Sequence, residues 1–168
     1  MLELHHVSRS FAQNPALNDI SFTVPGGALT GFVGANGAGK TTTMRIIMGL
    51  LSADSGSVTL NGQPLTGATR PNFGYMPEER GLYPKQPVID QLVYLGQLHG
   101  LTRSGARKRA MELLARFGLD DRAKSKLESL SLGNQQRVQV TAALLHEPDV
   151  LILDEPFSGL DPIAVDAM

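Results

Sequence analysis

A segment of eight residues near the N-terminus, GANGAGKT at positions 34–41, combines the residue types that bind phosphate groups. Its glycines leave the backbone bare, so that N–H groups can turn inward and approach phosphate oxygens. The segment fits the pattern G-x-x-x-x-G-K-[ST], in which Lys40 reaches the β- and γ-phosphates of a nucleotide and the Thr41 hydroxyl binds Mg²⁺. The alternative is a glycine-rich turn followed by a chance Lys-Thr pair, and the full match favours the phosphate site.

An acidic pair, Asp154 and Glu155, follows the apolar run VLIL near the C-terminus. A carboxylate at the carboxyl end of a buried strand is where a Mg²⁺-linked acid of a nucleotide site belongs. Because side chains alternate along a strand, Glu155 cannot share the direction of Asp154 and is free to act as a base for water. Alone, such a pair is more often a cap or a loop, but the phosphate loop upstream favours catalysis.

Strands and short turns dominate the first third of the chain. Residues 2–8 and 17–24 alternate as strands and are expected to pair. A short apolar strand at 28–34 is expected to run into the glycine-rich loop, followed by a helix that ends near Gly49. A strand at 57–60 precedes Asn61-Gly62, the strongest short signal for a hairpin.

Helical spacing of apolar residues begins after Pro77, over 88–101 and 102–119, with a further helix that stops near Pro148. An apolar run at 150–154 has the composition of a strand in a parallel sheet, and Asp161-Pro162 looks like the start of another helix. The sequence therefore predicts an α/β fold, with a P-loop NTPase parallel-sheet core, a small antiparallel β lobe and a helical insertion.

Composition bounds the class of protein. The chain has 168 residues, of which 42% are hydrophobic and 18% charged, as is ordinary for a globular domain. A net charge of −1 argues against bulk electrostatic binding of nucleic acid, and the basic run TRSGARKR fits a solvated helix face, so we expect no nucleic-acid partner. The absence of cysteine fits a reducing compartment, and neither a secretory signal nor a spanning segment is expected.

Four segments, GANGAGKTTT, LSLGNQQR, LILDEP and SGLD, resemble in order and spacing the ATP-binding subunit of an ABC transporter. More narrowly, GYMPEERGLYP and LSLGNQQR resemble the branch of sodium and antibiotic efflux ATPases. The resemblance implies ATP and Mg²⁺ as cofactors, a second nucleotide-binding subunit, and a transmembrane permease. It places the protein in the cytoplasm, peripheral on the inner face of the cell membrane.

Further site residues are implied by position in that family. LSLGN occupies the place of the family's LSGGQ signature; Leu132 and Asn134 depart from the pattern, while Ser131 and Gly133 remain suited to grip a γ-phosphate. This segment also has the composition of a capped helix start. Glu78 falls where the family has a Gln that contacts Mg²⁺ and water, so it is a candidate for both catalysis and metal binding.

The resemblance assigns the remaining nucleotide contacts. Phe11 matches the aromatic residue that stacks on adenine, with a core Phe as the alternative. Asp161 matches an aspartate of the dimer contact as well as a helix cap. The phosphate loop contributes Gly34, Asn36, Gly37, Ala38, Gly39, Lys40, Thr41 and Thr42.

The family's switch histidine lies beyond SGLD, so the chain is expected to be an incomplete domain over 1–168, with little hydrolysis alone. Its expected parts are a core with β lobe at 1–76 and 138–168, and a helical subdomain at 77–137. The leading function is ATP binding, with hydrolysis by the complete dimer driving an exporter. A soluble ABC ATPase of translation or DNA repair and a nucleotide-binding fragment without significant hydrolysis are the alternatives.

Overall fold

The computed structural model describes residues 1–65, 70–79 and 81–158. The chain forms two compact units, one over Met1–Pro71 and a second that begins at Asn72. The expected subdivision into 1–76 with 138–168 and 77–137 stays a prediction.

The first unit contains an antiparallel sheet of four strands, β1 (Leu2–Phe11), β2 (Asn14–Val24), β3 (Ser55–Leu60) and β4 (Gln63–Pro64), in the order β2-β1-β3-β4. The expected pairing of the first two strands is confirmed. The expected hairpin at Asn61-Gly62 is also confirmed, since both residues have positive φ, 51° and 75°, as a two-residue turn of type I′ requires. This sheet is the small antiparallel lobe.

Helix α1 (Lys40–Ile47) follows the glycine-rich loop and has Met48 as its C-cap, after which Gly49 takes a φ of 72°. The expectation of a strand over 28–34 is wrong for this structure, because the segment has no strand assignment. Leu29 and Val33 are almost fully exposed, at 103% and 94%, so no described strand of the first unit covers or pairs with them. A parallel strand is stable only with such neighbours.

The second unit holds two parallel strands, β5 (Phe73–Met76) and β6 (Val150–Leu153), paired from Phe73 with Val150 to Met76 with Leu153. The long connection that parallel strands require contains three helices, α2 (Val88–Leu98), α3 (Arg103–Arg116) and α4 (Leu132–Leu144). Short 3₁₀ turns lie at Arg70–Asn72, Asp120–Arg122 and Leu127–Ser129. The parallel strands and the antiparallel lobe together agree with the predicted P-loop NTPase fold.

An apolar cluster holds the helices of the second unit together. Its fully buried members include Leu92 on α2, Leu114 on α3 and Val138 on α4. On α3, Ala106 and Ala110 are buried while Arg107 and Lys108 are exposed, so the basic run lies on a solvated face. Helices α2 and α3 thus support α4, which packs in turn against β6.

Two histidines stack where α2 and α4 end. The rings of His99 and His146 lie 3.8 Å apart, centroid to centroid, at an interplanar angle of 6°. One ring nitrogen of His146, Nε2, lies 3.1 Å from the carbonyl oxygen of Phe73 on β5. Loss of hydration and the neighbouring His146 lower the pKa of His99, which favours its neutral form in this stack.

Among the described helices, none has both the length and the apolar character needed to cross a bilayer.

Candidate functional site

The glycine-rich loop has the backbone conformation that its composition predicts. Gly37 and Gly39 adopt φ values of 81° and 84°, in the left-handed region that favours glycine, and a turn is closed by Ala38 N–H donating to the Ala35 carbonyl at 3.1 Å. Gly39 stands at the N-cap of α1 without a side chain to cap the helix. The first N–H groups of α1 therefore have no side-chain cap at this position, which is the arrangement that receives an anion.

The side chain of Lys40 folds back over this loop. Its Nζ donates hydrogen bonds to the carbonyl oxygens of Gly34 at 2.9 Å and Ala35 at 3.3 Å. Thr41 and Thr42 are partly buried in the first turn of α1, whereas the loop residues Asn36 and Ala38 are exposed. The cation is thus held beside the bare backbone, where both can contact one phosphate group.

Gly39 meets a steric restriction that Gly37 does not. A Cβ at Gly39 would lie 2.5 Å from the Ala16 carbonyl oxygen and 2.4 Å from a methyl carbon of Leu17, whereas a Cβ at Gly37 meets no atom within 4 Å. The loop is therefore packed directly on strand β2 at Ala16 and Leu17. This close approach explains why the last glycine of the motif must be bare.

We expect Gly39→Ala to cost more stability than Gly37→Ala. Both substitutions force a Cβ into left-handed backbone, at about 1–2 kcal/mol, and Gly39→Ala adds an overlap worth about 1–3 kcal/mol more. Urea unfolding of the two variants checks the difference. Equal losses would show that the contact between the loop and β2 relaxes without cost.

Asp154 is a buried carboxylate at the end of β6. It is 1% exposed, and neither carboxylate oxygen has a hydrogen-bond partner in the described structure. Its backbone N–H donates to the Met76 carbonyl at 2.9 Å, which continues the pairing of β6 with β5. A buried acceptor without a partner is costly, so this position is suited to a cation or a bound donor.

Glu78 follows the carboxyl end of β5, and Glu155 follows that of β6. Because the two strands are parallel, both residues lie at the same edge of the sheet as Asp154. Both side chains are exposed, in contrast to Asp154. Glu155 has a φ of 51°, an unfavourable backbone conformation for a residue with a Cβ. Such local strain in a residue beside a buried acid is typical of functional sites.

Gln136 connects helix α4 to this strand end, and sequence reasoning missed it. Its Nε2 atom lies 3.3 Å from the Glu155 carbonyl oxygen and donates to that of Pro156 at 2.9 Å. The side chain is 7% exposed. A glutamine at a buried position of a helix is the available signal, because a buried amide requires partners. The partners, 19 and 20 residues away in sequence, are given only by the fold.

The start of helix α4 carries Ser131 and Gly133. Ser131 is the N-cap and its side chain accepts a hydrogen bond from the backbone N–H of Asn134 at 3.4 Å. The expected capped helix start is confirmed, and Gly133 lies in the first turn. Ser131 and Leu132 are exposed, so this helix start is accessible to a partner.

Phe11 is the last residue of β1, and 48% of its surface is exposed. It pairs with Asn14 where the hairpin of β1 and β2 closes. The alternative that Phe11 is a core residue is wrong, because a core side chain is excluded from solvent. Its exposed ring is available to a planar ligand.

The family model described as ABC transporter matches residues 17–158, which span the phosphate loop, the start of α4 and the acidic pair. The chain belongs to the ABC transporter family.

Relatives within the ABC transporter family match over nearly the whole chain. An uncharacterised ABC transporter ATP-binding protein of Bacillus subtilis, YhaQ, is 48% identical over 168 residues, 100% of this chain and 56% of the relative. The Nod factor export ATP-binding protein I of Cupriavidus pinatubonensis is 38% identical over 167 residues, 98% of this chain and 51% of the relative. The chain thus spans about half the length of these curated relatives.

A solved ATP-binding subunit of an ABC transporter has the same fold, with a TM-score of 0.84 and 35% identity. The superposition covers 99% of this chain and 71% of that subunit. The predicted family and fold are therefore confirmed. Asp161, expected at the dimer contact, lies outside the described residues.

Proposed function

We propose that this chain binds Mg-ATP and, paired with a second nucleotide-binding subunit on a membrane permease, hydrolyses ATP to power export. The observation that carries the proposal is the bare loop at the start of α1, with Lys40 Nζ within 3.3 Å of two loop carbonyls. Backbone N–H groups, a fixed cation and a helix N-terminus together favour a polyphosphate over other ligands.

The loop residues share the work of binding the nucleotide. When the nucleotide binds, Lys40 gives up its hydrogen bonds to the loop carbonyls and donates to the β- and γ-phosphates instead. The backbone of the loop and of the first helical turn supplies further donors, at Gly34, Asn36, Gly37, Ala38, Gly39 and Thr42. Phe11 stacks on the adenine ring through its exposed face. The loop thereby binds the phosphates, and the aromatic ring binds the base.

Mg²⁺ is the expected metal, because the donors offered are a hydroxyl and carboxylates. Within the described residues no three acidic, histidine or cysteine side chains form a complete metal site. Mg²⁺ is usually bound through one or two carboxylates and completes its shell with phosphate oxygens, water and other oxygen donors. Thr41, Asp154 and Glu78 are the proposed ligands, and the unpartnered oxygens of Asp154 support that role.

Glu155 is the proposed general base. Its carboxylate accepts the proton from a water molecule as that water attacks the γ-phosphorus and the bond to the β-phosphate oxygen breaks. Glu78 assists by orienting the water. Gln136 keeps the Glu155 backbone in place through its amide contacts at 3.3 and 2.9 Å, so the base is carried on a fixed segment.

The assembly is proposed from the family and from the exposed start of α4. Ser131 and Gly133 of one subunit close on the γ-phosphate held by the other, and Asp161 contributes to the same dimer contact. The Nod factor relative is named as an export protein, which favours export over a role in translation or repair. The permease keeps the chain on the inner face of the membrane.

Ser131→Ala tests the assembly, with Thr102→Ala as its matched control. Both residues are helix N-caps, and the Thr102 side chain accepts from Gly105 N–H at 3.1 Å, so each substitution should cost about 1 kcal/mol of stability. We expect only Ser131→Ala to lower the ATP turnover of the subunit assembled with its permease, by about 10-fold, because it also removes a phosphate donor.

Turnover and thermal unfolding are measured on the same preparations. Equal turnover in the two variants would reduce Ser131 to a helix cap and contradict its role across the dimer. If the assembled wild-type protein hydrolyses no ATP, the proposed function is wrong.

A further inference from the structure

One face of the exposed Phe11 ring is occupied by an arginine. The guanidinium carbon of Arg9 lies over the ring at 5.2 Å from its centroid, within the range of a cation–π contact. Arg9 and Phe11 are two residues apart on β1, a spacing that places side chains on the same face of a strand. The 48% of Phe11 that stays exposed is therefore on the rest of the ring.

Asp54 holds Arg9 in this position. Arg9 Nη1 donates to Asp54 Oδ1 at 2.6 Å, and the backbone N–H of Ser10 donates to Asp54 Oδ2 at 2.8 Å. The backbone N–H of Asp54 itself donates to the Ser8 carbonyl at 2.9 Å. Hydrogen bonding from Ser10, together with the charge and hydrogen bond of Arg9, lowers the pKa of Asp54. Asp54 thus fixes three successive residues that lead to Phe11.

The same part of the hairpin supports the phosphate loop. Arg9 pairs with Leu17 across the β1–β2 ladder, and Leu17 is the residue against which Gly39 packs. Phe11 pairs with Asn14, three positions before Leu17 on β2. The aromatic ring and the loop are consequently held on one hairpin, within the first unit.

We propose that Arg9, held by Asp54, is a positioning residue for the nucleotide base. Its guanidinium backs one face of Phe11, so that a purine stacks on the opposite face. This rests on the proposed function, since it requires the phosphate loop to bind a nucleotide. A cation on one face draws electron density from the ring, which strengthens its attraction to an electron-rich base.

Binding is compared for two ligands, Mg-ATP and Mg-tripolyphosphate, because the second has no base. Arg9→Gln should weaken binding of Mg-ATP by about two- to fivefold and leave that of tripolyphosphate unchanged. Phe11→Ala should produce a larger loss, about 10-fold, for ATP alone. In the Phe11→Ala background, Arg9→Gln should have no further effect, since its action passes through the ring.

Arg9→Lys and Asp54→Asn complete the set and guard against misfolding of Arg9→Gln. Arg9→Lys keeps a cation but not the planar guanidinium, so it should restore only part of the ATP affinity lost in Arg9→Gln. Asp54→Asn frees the guanidinium and should lower ATP affinity without changing that for tripolyphosphate. Thermal unfolding of each variant identifies any that do not fold.

Equal losses for both ligands in Arg9→Gln or Asp54→Asn would make the pair merely structural and overturn the proposal, as would no loss for either. If Phe11→Ala binds ATP and tripolyphosphate each as tightly as the wild type does, the proposal is also overturned. The assignment of the phosphate loop would still stand. Wild-type protein that binds neither ligand would instead contradict the proposed function.

Discussion

Lys40→Ala should weaken binding of Mg-ATP by about 10- to 150-fold. A hydrogen bond to a charged group contributes about 1.5–3 kcal/mol, and each 1.4 kcal/mol is a factor of ten in affinity. The loss should exceed that of other loop substitutions, because Lys40 is the fixed cation of the loop and the remaining donors are neutral backbone groups. Isothermal titration calorimetry of the purified chain measures it.

Arg45→Ala is the matched control for Lys40→Ala. Arg45 is an exposed cation in the last turn of the same helix, so its removal changes the net charge equally but at the opposite end of α1. We expect nearly unchanged affinity for this variant. Similar losses in both variants would mean that long-range attraction dominates, and equal affinity in Lys40→Ala and wild type would refute the assignment of the phosphate loop.

The phosphate loop and the hairpin at Asn61-Gly62 could be predicted because their conformations are required by local chemistry. Only glycine readily adopts the φ values of 81° and 84° found at Gly37 and Gly39, so composition alone indicates the backbone. The cap of α4 follows the same logic, since the Ser131 side chain accepts a hydrogen bond from the N–H group three residues ahead.

The segment 28–34 could not be predicted from its own residues. Its apolar composition is typical of a strand in a parallel sheet, but a strand forms only where neighbours satisfy its backbone groups. Leu29, at 103% exposure, has no such neighbour among the described residues of the first unit. Apolar periodicity therefore indicates which conformation a segment favours, and pairing decides whether it is adopted.

Contacts between residues distant in sequence were also missed. Asp54 meets Arg9 across 45 residues, and Gln136 meets Pro156 across 20. Taken alone, Arg9 and Asp54 look like ordinary surface charges, and Gln136 looks like an ordinary polar residue of a helix. Nothing in the sequence spacing identifies their partners. Both contacts hold a candidate site residue in place, Phe11 in the first case and Glu155 in the second, and the supporting residues carry no sequence signal of that role.

Glu155→Gln should abolish most ATP turnover while ATP stays bound. Glutamine has nearly the same shape as glutamate but cannot accept the proton of the attacking water, and loss of a general base costs about 10²- to 10⁴-fold in rate. The φ of 51° at residue 155 should be tolerated equally by either side chain, since both carry the same Cβ. Turnover is measured on the subunit assembled with its permease, and retained nucleotide is measured on the same sample after removal of free ATP.

Glu128→Gln controls for the loss of one negative charge, since Glu128 is an exposed acid on a 3₁₀ turn of the second unit. It should hydrolyse ATP as the wild type does. A slow rate with weak binding in Glu155→Gln would indicate that Glu155 supports the nucleotide rather than the chemistry. An unchanged rate would move the general base to another residue, and Glu78, exposed at the same edge of the parallel sheet, would be the next to replace.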